Sequence, residues 1–189
     1  MRTVAIQPRG SGRWPRSDPL GRLAPVGAAH GRATSFMSAE AVREFVDANV
    51  LVYAFDPSAK RKQVAAARLL ERLWESGTGC LSVQVLQEFF VTVTRKVTRP
   101  LSIDEGADRV REFATWKVFA PAGGDVLAAI ALHKQAQINF WDAMVVQAAA
   151  ELGCDVLWTE DLSDTQVLRG VRIRDPFNRS VGTPASKPE

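Results

Sequence analysis

The stretch Phe45-Val46-Asp47-Ala48-Asn49-Val50-Leu51-Val52-Tyr53 decides how the rest of the chain is read. Residues 44–47 form a short, largely apolar strand that ends on an acid and runs straight into 48–55. An acid at the carboxyl end of the first strand of an open parallel sheet lies where such folds bind ligands. Locally, an N-cap on the following helix explains Asp47 about as well.

Working outward, residues 60–76 carry Val64, Ala67, Leu70, Leu73 and Trp74 on one helical face, and Gly77 and Gly79 end that helix. A short strand follows at 80–82, then a helix over 83–97 that stops before Pro100. Ser102 and Glu105 have the spacing of a capping box and open a helix running through Trp116. Residues 118–120 can form a strand, 124–137 and 140–152 helices, and 155–159 and 171–174 strands. Short strands alternating with helices predict an α/β domain, a parallel sheet covered on both faces.

The 189 residues fit one domain, expected over 37–179, with the 46% hydrophobic and 24% charged content of a globular chain. The longest apolar run, 126–132, falls far short of the roughly 20 residues that span a bilayer, and no secretory leader is evident. A cytoplasmic protein is expected. Cys80 and Cys154 are far apart, lack CxxC spacing and sit among apolar residues, which fits two reduced core thiols. The net charge of +3 is unevenly placed, because residues 1–36 hold six arginines against one acid while the remainder has 18 basic and 20 acidic residues. The basic character therefore belongs to the N-terminal segment and is no argument for nucleic-acid binding. That segment has no apolar period and is expected to be disordered; one reading is a basic nucleic-acid-binding arm, and the preferred one is an untranslated extension before a start at Met37, with residues 180–189 a second polar tail.

Four acids are hard to place together as scaffold. Glu88 lies in Val85-Leu86-Gln87-Glu88-Phe89-Phe90-Val91, apolar nearly all round, where an unpaired acid is seldom buried. A solvated stripe shared with Gln84 and Gln87 is the less favoured account. Asp142 opens a small-residue apolar helix, where the dipole favours an acid. Asp161 follows the apolar run of the 155–159 strand and could cap a turn. Carboxylates converging on one sheet edge raise each other's pKa unless a cation is present. Oxygen donors without His or Cys suit Mg²⁺ or Mn²⁺, the equipment of phosphodiester hydrolysis. The histidines, His30 in the N-terminal segment and His133 on a helix, cannot pair on a metal. No GxxxxGK[ST], GxGxxG or GxSxG motif competes. Trp74, Trp116, Trp141 and Trp158 are expected in the core rather than as base-stacking surfaces, with Trp141, beside Asp142, the one kept open.

Four blocks in order resemble the PIN domain, specifically the VapC-type toxins of bacterial toxin–antitoxin pairs. They are the opening stretch, Leu81-Ser82-Val83-Gln84-Val85-Leu86-Gln87-Glu88-Phe89, Phe140-Trp141-Asp142-Ala143-Met144 and Leu157-Trp158-Thr159-Glu160-Asp161-Leu162. The resemblance spans roughly residues 43–177 and implies a three-layer α/β/α fold with a central parallel sheet. It implies an acidic quartet at Asp47, Glu88, Asp142 and Asp161, with Asp47 and Asp142 at the positions most directly associated with metal. Glu88 and Asp161 complete the pocket, and Asn49 and Thr159 match positions that orient acids or water. Glu160 competes with its neighbour, although the family's T-x-D pattern favours Asp161. Thr165 departs from the pattern, since relatives often carry Gly near there, which puts the following loop in doubt. An RNA-cleaving toxin, an RNA substrate, a homodimer and a cognate antitoxin are likewise implied. Two other readings compete: a catalytically minor binding module acting with an antitoxin in operon autoregulation, and a small-molecule phosphohydrolase. The latter normally wants a D-x-D start, where this chain has Asn49.

Overall fold

The computed structural model describes residues 42–178; the expectations for 1–36 and 180–189 lie outside them. In chain order the elements are β1 (Glu44–Val46), α1 (Ala48–Phe55), a 3₁₀ turn (Pro57–Ala59), α2 (Arg61–Ser76), β2 (Gly79–Ser82), α3 (Val83–Arg95), α4 (Ile103–Phe113), β3 (Lys117–Phe119), α5 (Gly123–Ala136), α6 (Phe140–Glu151), β4 (Val156–Trp158), β5 (Val167–Leu168) and β6 (Val171–Arg174). The strands form one sheet in the order β3-β2-β1-β4-β6-β5.

Five strands are parallel and β5 alone runs antiparallel to β6, so the sheet is mixed at one edge rather than wholly parallel. The hairpin joining β5 to β6 turns through Arg169 and Gly170, at φ +49° and +83°. Positive φ at both central residues marks the tight two-residue turn that matches strand twist.

Three layers follow from the order of connections. Parallel crossovers are right-handed, so steps from β1 through β2 to β3 put α1 to α4 on one face, and the return to β4 puts α5 and α6 on the other. The packing agrees: α1 lies against α2 and α3, α3 against α4, and α5 against α6. Covered on both sides, the strands bury Phe45, Leu81, Leu157 and Ile173 completely, and Phe45 pairs with Leu157, which pairs with Ile173. Gly79 of β2 lies so close under the Trp116 ring that a Cβ would sit 2.3 Å from it. Phe113 meets Trp74 and Trp116 edge to face and the two indoles lie tilted against each other, so these tryptophans are scaffold, as expected. Both cysteines are buried and free.

Candidate metal-binding active site

The chain proceeds from β1 to β2 on one side and later returns to β4 on the other, so β1 and β4 flank the switch point. In open α/β sheets ligands bind outside the carboxyl ends of strands at such a crevice. Asp47 follows β1 there, and its backbone N–H donates to Trp158 O at 3.0 Å, tying the two strand ends together.

Both local readings of Asp47 hold at once. Its Oδ1 accepts from the Ala48 N–H at 2.6 Å as the N-cap of α1, while its Oδ2 accepts from the Thr159 hydroxyl at 2.8 Å. That hydroxyl also accepts from Asn49 Nδ2 at 3.2 Å and from the Asp161 N–H at 3.1 Å. One donor and two lone pairs are then all used, so Thr159, itself buried, is a fixed hub. Asn49 Nδ2 further donates to Asp161 Oδ2 at 2.9 Å and approaches Asp47 Oδ2 at 3.5 Å.

Asp47, Glu88, Asp142 and Asp161 line one cleft of about 280 Å³. They arrive from the end of β1, from α3, from the first turn of α6 and from beyond β4. Burial pushes the Asp47 carboxyl up to about 7; Thr159 and Ala48 oppose this, and Asp161 and Glu88 add to it. Burial also raises Asp142, again with Asp161 and Glu88 contributing. No Lys or Arg among the described residues lines the cleft. Among the described residues, no three acid, His or Cys side chains already form a metal shell.

The lining nevertheless fits a hard divalent cation. It offers carboxylate oxygens without nitrogen or sulfur competitors, and Asn49 Oδ1 is buried without a hydrogen-bond partner. Mg²⁺ keeps several waters and needs only one or two carboxylates before phosphate joins, so a closed protein shell is not required.

One sequence expectation for the acids changes, and the choice between Glu160 and Asp161 gains a physical reason. Glu88 is exposed, not buried: α3 buries Val85, Phe89 and Val93 at four-residue spacing, leaving Glu88 on the stripe where Gln84 Nε2 donates to it at 2.9 Å. The Phe pair does not enclose it, since Phe89 turns to the core and Phe90 lies at its margin. Between the neighbouring acids, Glu160 is engaged elsewhere: Tyr53 donates its hydroxyl to one oxygen and Lys62 pairs with the other. Asp161 is the one that lines the cleft.

Trp141 is not in the core as expected: it is 59% exposed and forms part of the cleft wall, whereas Trp158 donates its N–H to Glu44 at 2.7 Å. His133 is an exposed residue whose ring meets Ile138 O. Sequence reasoning missed Tyr53, Gln84 and Thr92 as lining residues. Gln84 stands four residues before Glu88, a readable helical spacing, but Tyr53 meets Glu160 across 107 positions with no local signal.

A three-layer α/β protein with an acid-lined cleft at its switch point is the class that fold and site define. The chain belongs to the PIN domain family, whose model matches residues 45–165. The fold is similar to that of a toxin–antitoxin complex from Klebsiella pneumoniae (TM-score 0.52, 19% identity, covering 70% of this chain and 97% of that one). It is also similar to VapBC2 from Rickettsia felis bound to a DNA fragment from their promoter (TM-score 0.52, 14% identity, 71% and 98%) and to DNA-bound VapBC from Salmonella typhimurium (TM-score 0.52, 16%, 71% and 98%). Comparison with curated protein sequences returns no match. Among the described residues no helix is long and apolar enough to cross a membrane.

Proposed function

We propose that this chain is a metal-dependent endoribonuclease, the toxic member of a toxin–antitoxin pair, acting in the cytoplasm. One observation carries the reading: four carboxylates from four separate elements line a single cleft that no basic side chain among the described residues lines. The solved complexes of similar fold are toxin–antitoxin assemblies, which supports a cognate antitoxin as partner. A homodimer is part of the proposal.

Asp47 and Asp142 would hold Mg²⁺, or Mn²⁺, with Glu88 and Asp161 as further donors. When bound, the ion supplies charge to polarise a phosphoryl oxygen and to lower the pKa of an attacking water. The chain's own residues provide the rest. Thr159 and the Ala48 N–H fix both oxygens of Asp47, so the carboxylate is already oriented. Asn49 holds Asp161 Oδ2 and thereby sets the distance between two like charges. Glu88, anchored by Gln84 and open to solvent, is placed to take up a proton from water or orient it. Trp141 offers an exposed indole face on which a base can stack.

The test is cleavage of RNA by the purified full chain. Activity should require Mg²⁺ or Mn²⁺, vanish with chelator and fall at least about a hundredfold in Asp47→Asn, the loss typical when a preorganised charge is removed. Asn caps helices as well as Asp, so that variant should fold. Undiminished cleavage by Asp47→Asn would overturn the role given to Asp47, and cleavage in excess chelator would overturn the metal dependence.

A further inference from the structure

Beyond the acid cleft lies a larger groove of about 1080 Å³, walled by Tyr53 of α1, the start of α2 and residues 176–178. Lys60, Arg61, Lys62 and Arg68 all line it, and no acid does. Lys62 is answered by Glu160, whereas Lys60, Arg61 and Arg68 are exposed and in no ion pair among the described residues. Arg61 and Arg68 stand seven residues apart on α2, two turns on one face and about 10 Å along the axis. The groove's apolar wall is aromatic: Tyr53 and Phe177 meet edge to face at 5.2 Å, with the Lys62 ammonium 4.5 Å from the Tyr53 centroid and 5.3 Å from that of Phe177. Tyr53 lines both hollows, so the groove continues the acid cleft.

We propose that this groove binds the flank of a single-stranded RNA whose scissile phosphate lies in the acid cleft. The proposal rests on the ribonuclease reading and adds to it where the strand runs. The division of charge favours it. Among the described residues, the cleft has no basic side chain with which to hold a polyanion, while the adjoining groove has three without an ion-pair partner. Cations beside rings are what an unpaired strand needs, since phosphates meet the charges and splayed bases stack on the aromatics. A duplex keeps its base faces stacked inside and would leave the rings unused. An acidic protein segment would satisfy the charges, but it brings a planar side chain only at scattered positions, whereas every nucleotide pairs a phosphate with a planar base.

Binding is measured by fluorescence anisotropy of a short labelled single-stranded RNA on the full chain, in chelator and across a salt series, which separates binding from cleavage. Arg61 and Arg68 are exposed, so Arg61→Glu/Arg68→Glu should keep its melting temperature. We expect that variant to bind about tenfold more weakly, with a log–log salt slope shallower by about 1.4, because each phosphate contact to a single strand contributes about 0.7. Lys96→Glu/Arg99→Glu, the same charge change at exposed residues that do not line the groove, should leave both quantities near wild type. Equal weakening by the two pairs, or by neither, would overturn the groove. Displacement of RNA by poly-glutamate of matched charge at the same concentration would overturn it in favour of an acidic protein segment. An inactive protein that keeps the binding contrast would sink the ribonuclease reading and spare the groove; an active one without the contrast would do the reverse.

Discussion

Thr165 occupies a backbone conformation suited to another residue. Its φ is +70°, the left-handed region where a β-branched side chain is strained, yet its N–H still donates to Ile173 O at 2.9 Å. The loop thus keeps its hydrogen bond and absorbs the strain. Thr165→Gly should stabilise the chain by about 1 kcal/mol, seen as a melting temperature higher by about 2–4 °C; an unchanged or lower value would show that the site holds no strain. At this scale the cleft positions of Asp47, Asp142 and Asp161 are legible because each stands at or just beyond an element end, where both capping and ligand binding place acids. Glu88 lines the cleft from an exposed position, not the buried one its neighbours suggest. Its neighbours made α3 look apolar all round, but the stripe through Val85, Phe89 and Val93 decides what is buried, and Glu88 is not on it. The choice between Glu160 and Asp161 depended on Tyr53 and Lys62, which only the folded chain brings to Glu160.

Among elements, β1 is clamped to its neighbours by one carboxylate. Glu44 accepts both Arg72 Nη1 and Nη2 from α2, at 2.6 and 2.8 Å, and the Trp158 N–H of β4 at 2.7 Å. Burial pushes the Glu44 carboxyl up, but Arg72 and Trp158 more than offset this, leaving it below its ordinary 4.5. A group lowered by folding stabilises the protein above its unfolded value and loses that contribution as pH falls through the folded one. Glu44→Gln should therefore lower stability at neutral pH by roughly 1 kcal/mol, a modest figure because Arg72 is half exposed. The gap from wild type should close as the pH drops below about 4.5; melting curves at a series of pH values check this, and a constant gap would contradict it. Most elements were legible from period and punctuation, and the Ser102–Glu105 capping box forms as read. β3 lies one residue earlier than its pattern suggested, being only partly buried at the sheet edge. β5 escaped notice because two residues carry no period, and Arg169-Gly170 is not the usual Asn-Gly signal for a tight hairpin.

For the whole molecule, alternation of strands and helices predicted a layered parallel sheet but not the order of its strands, which depends on contacts between distant segments. That order makes the acid cleft an energetic liability, since like charges gather where α3 and α6 meet the ends of β1 and β4. A cation that binds only the folded chain should relieve it. Mg²⁺ or Mn²⁺ at a hundred times its dissociation constant should add about 2.7 kcal/mol of stability, read as a higher melting temperature that chelator reverses. Asp47→Asn should show a clearly smaller rise, and equal rises in the two proteins would place the ion elsewhere.

The four cleft acids are scattered over the chain from position 47 to position 161, with β1 at the centre of the sheet and β4, which completes the crevice, among the last strands made. During synthesis the first acid emerges long before the last. No shorter nascent fragment carries the whole set, and none can close the crevice before β4 has paired with β1. A cell making this protein therefore meets the assembled cleft only after nearly the entire described chain has left the ribosome. Premature termination before Asp161 yields a product without it, so the acid-lined cleft is whole only once that segment has been made.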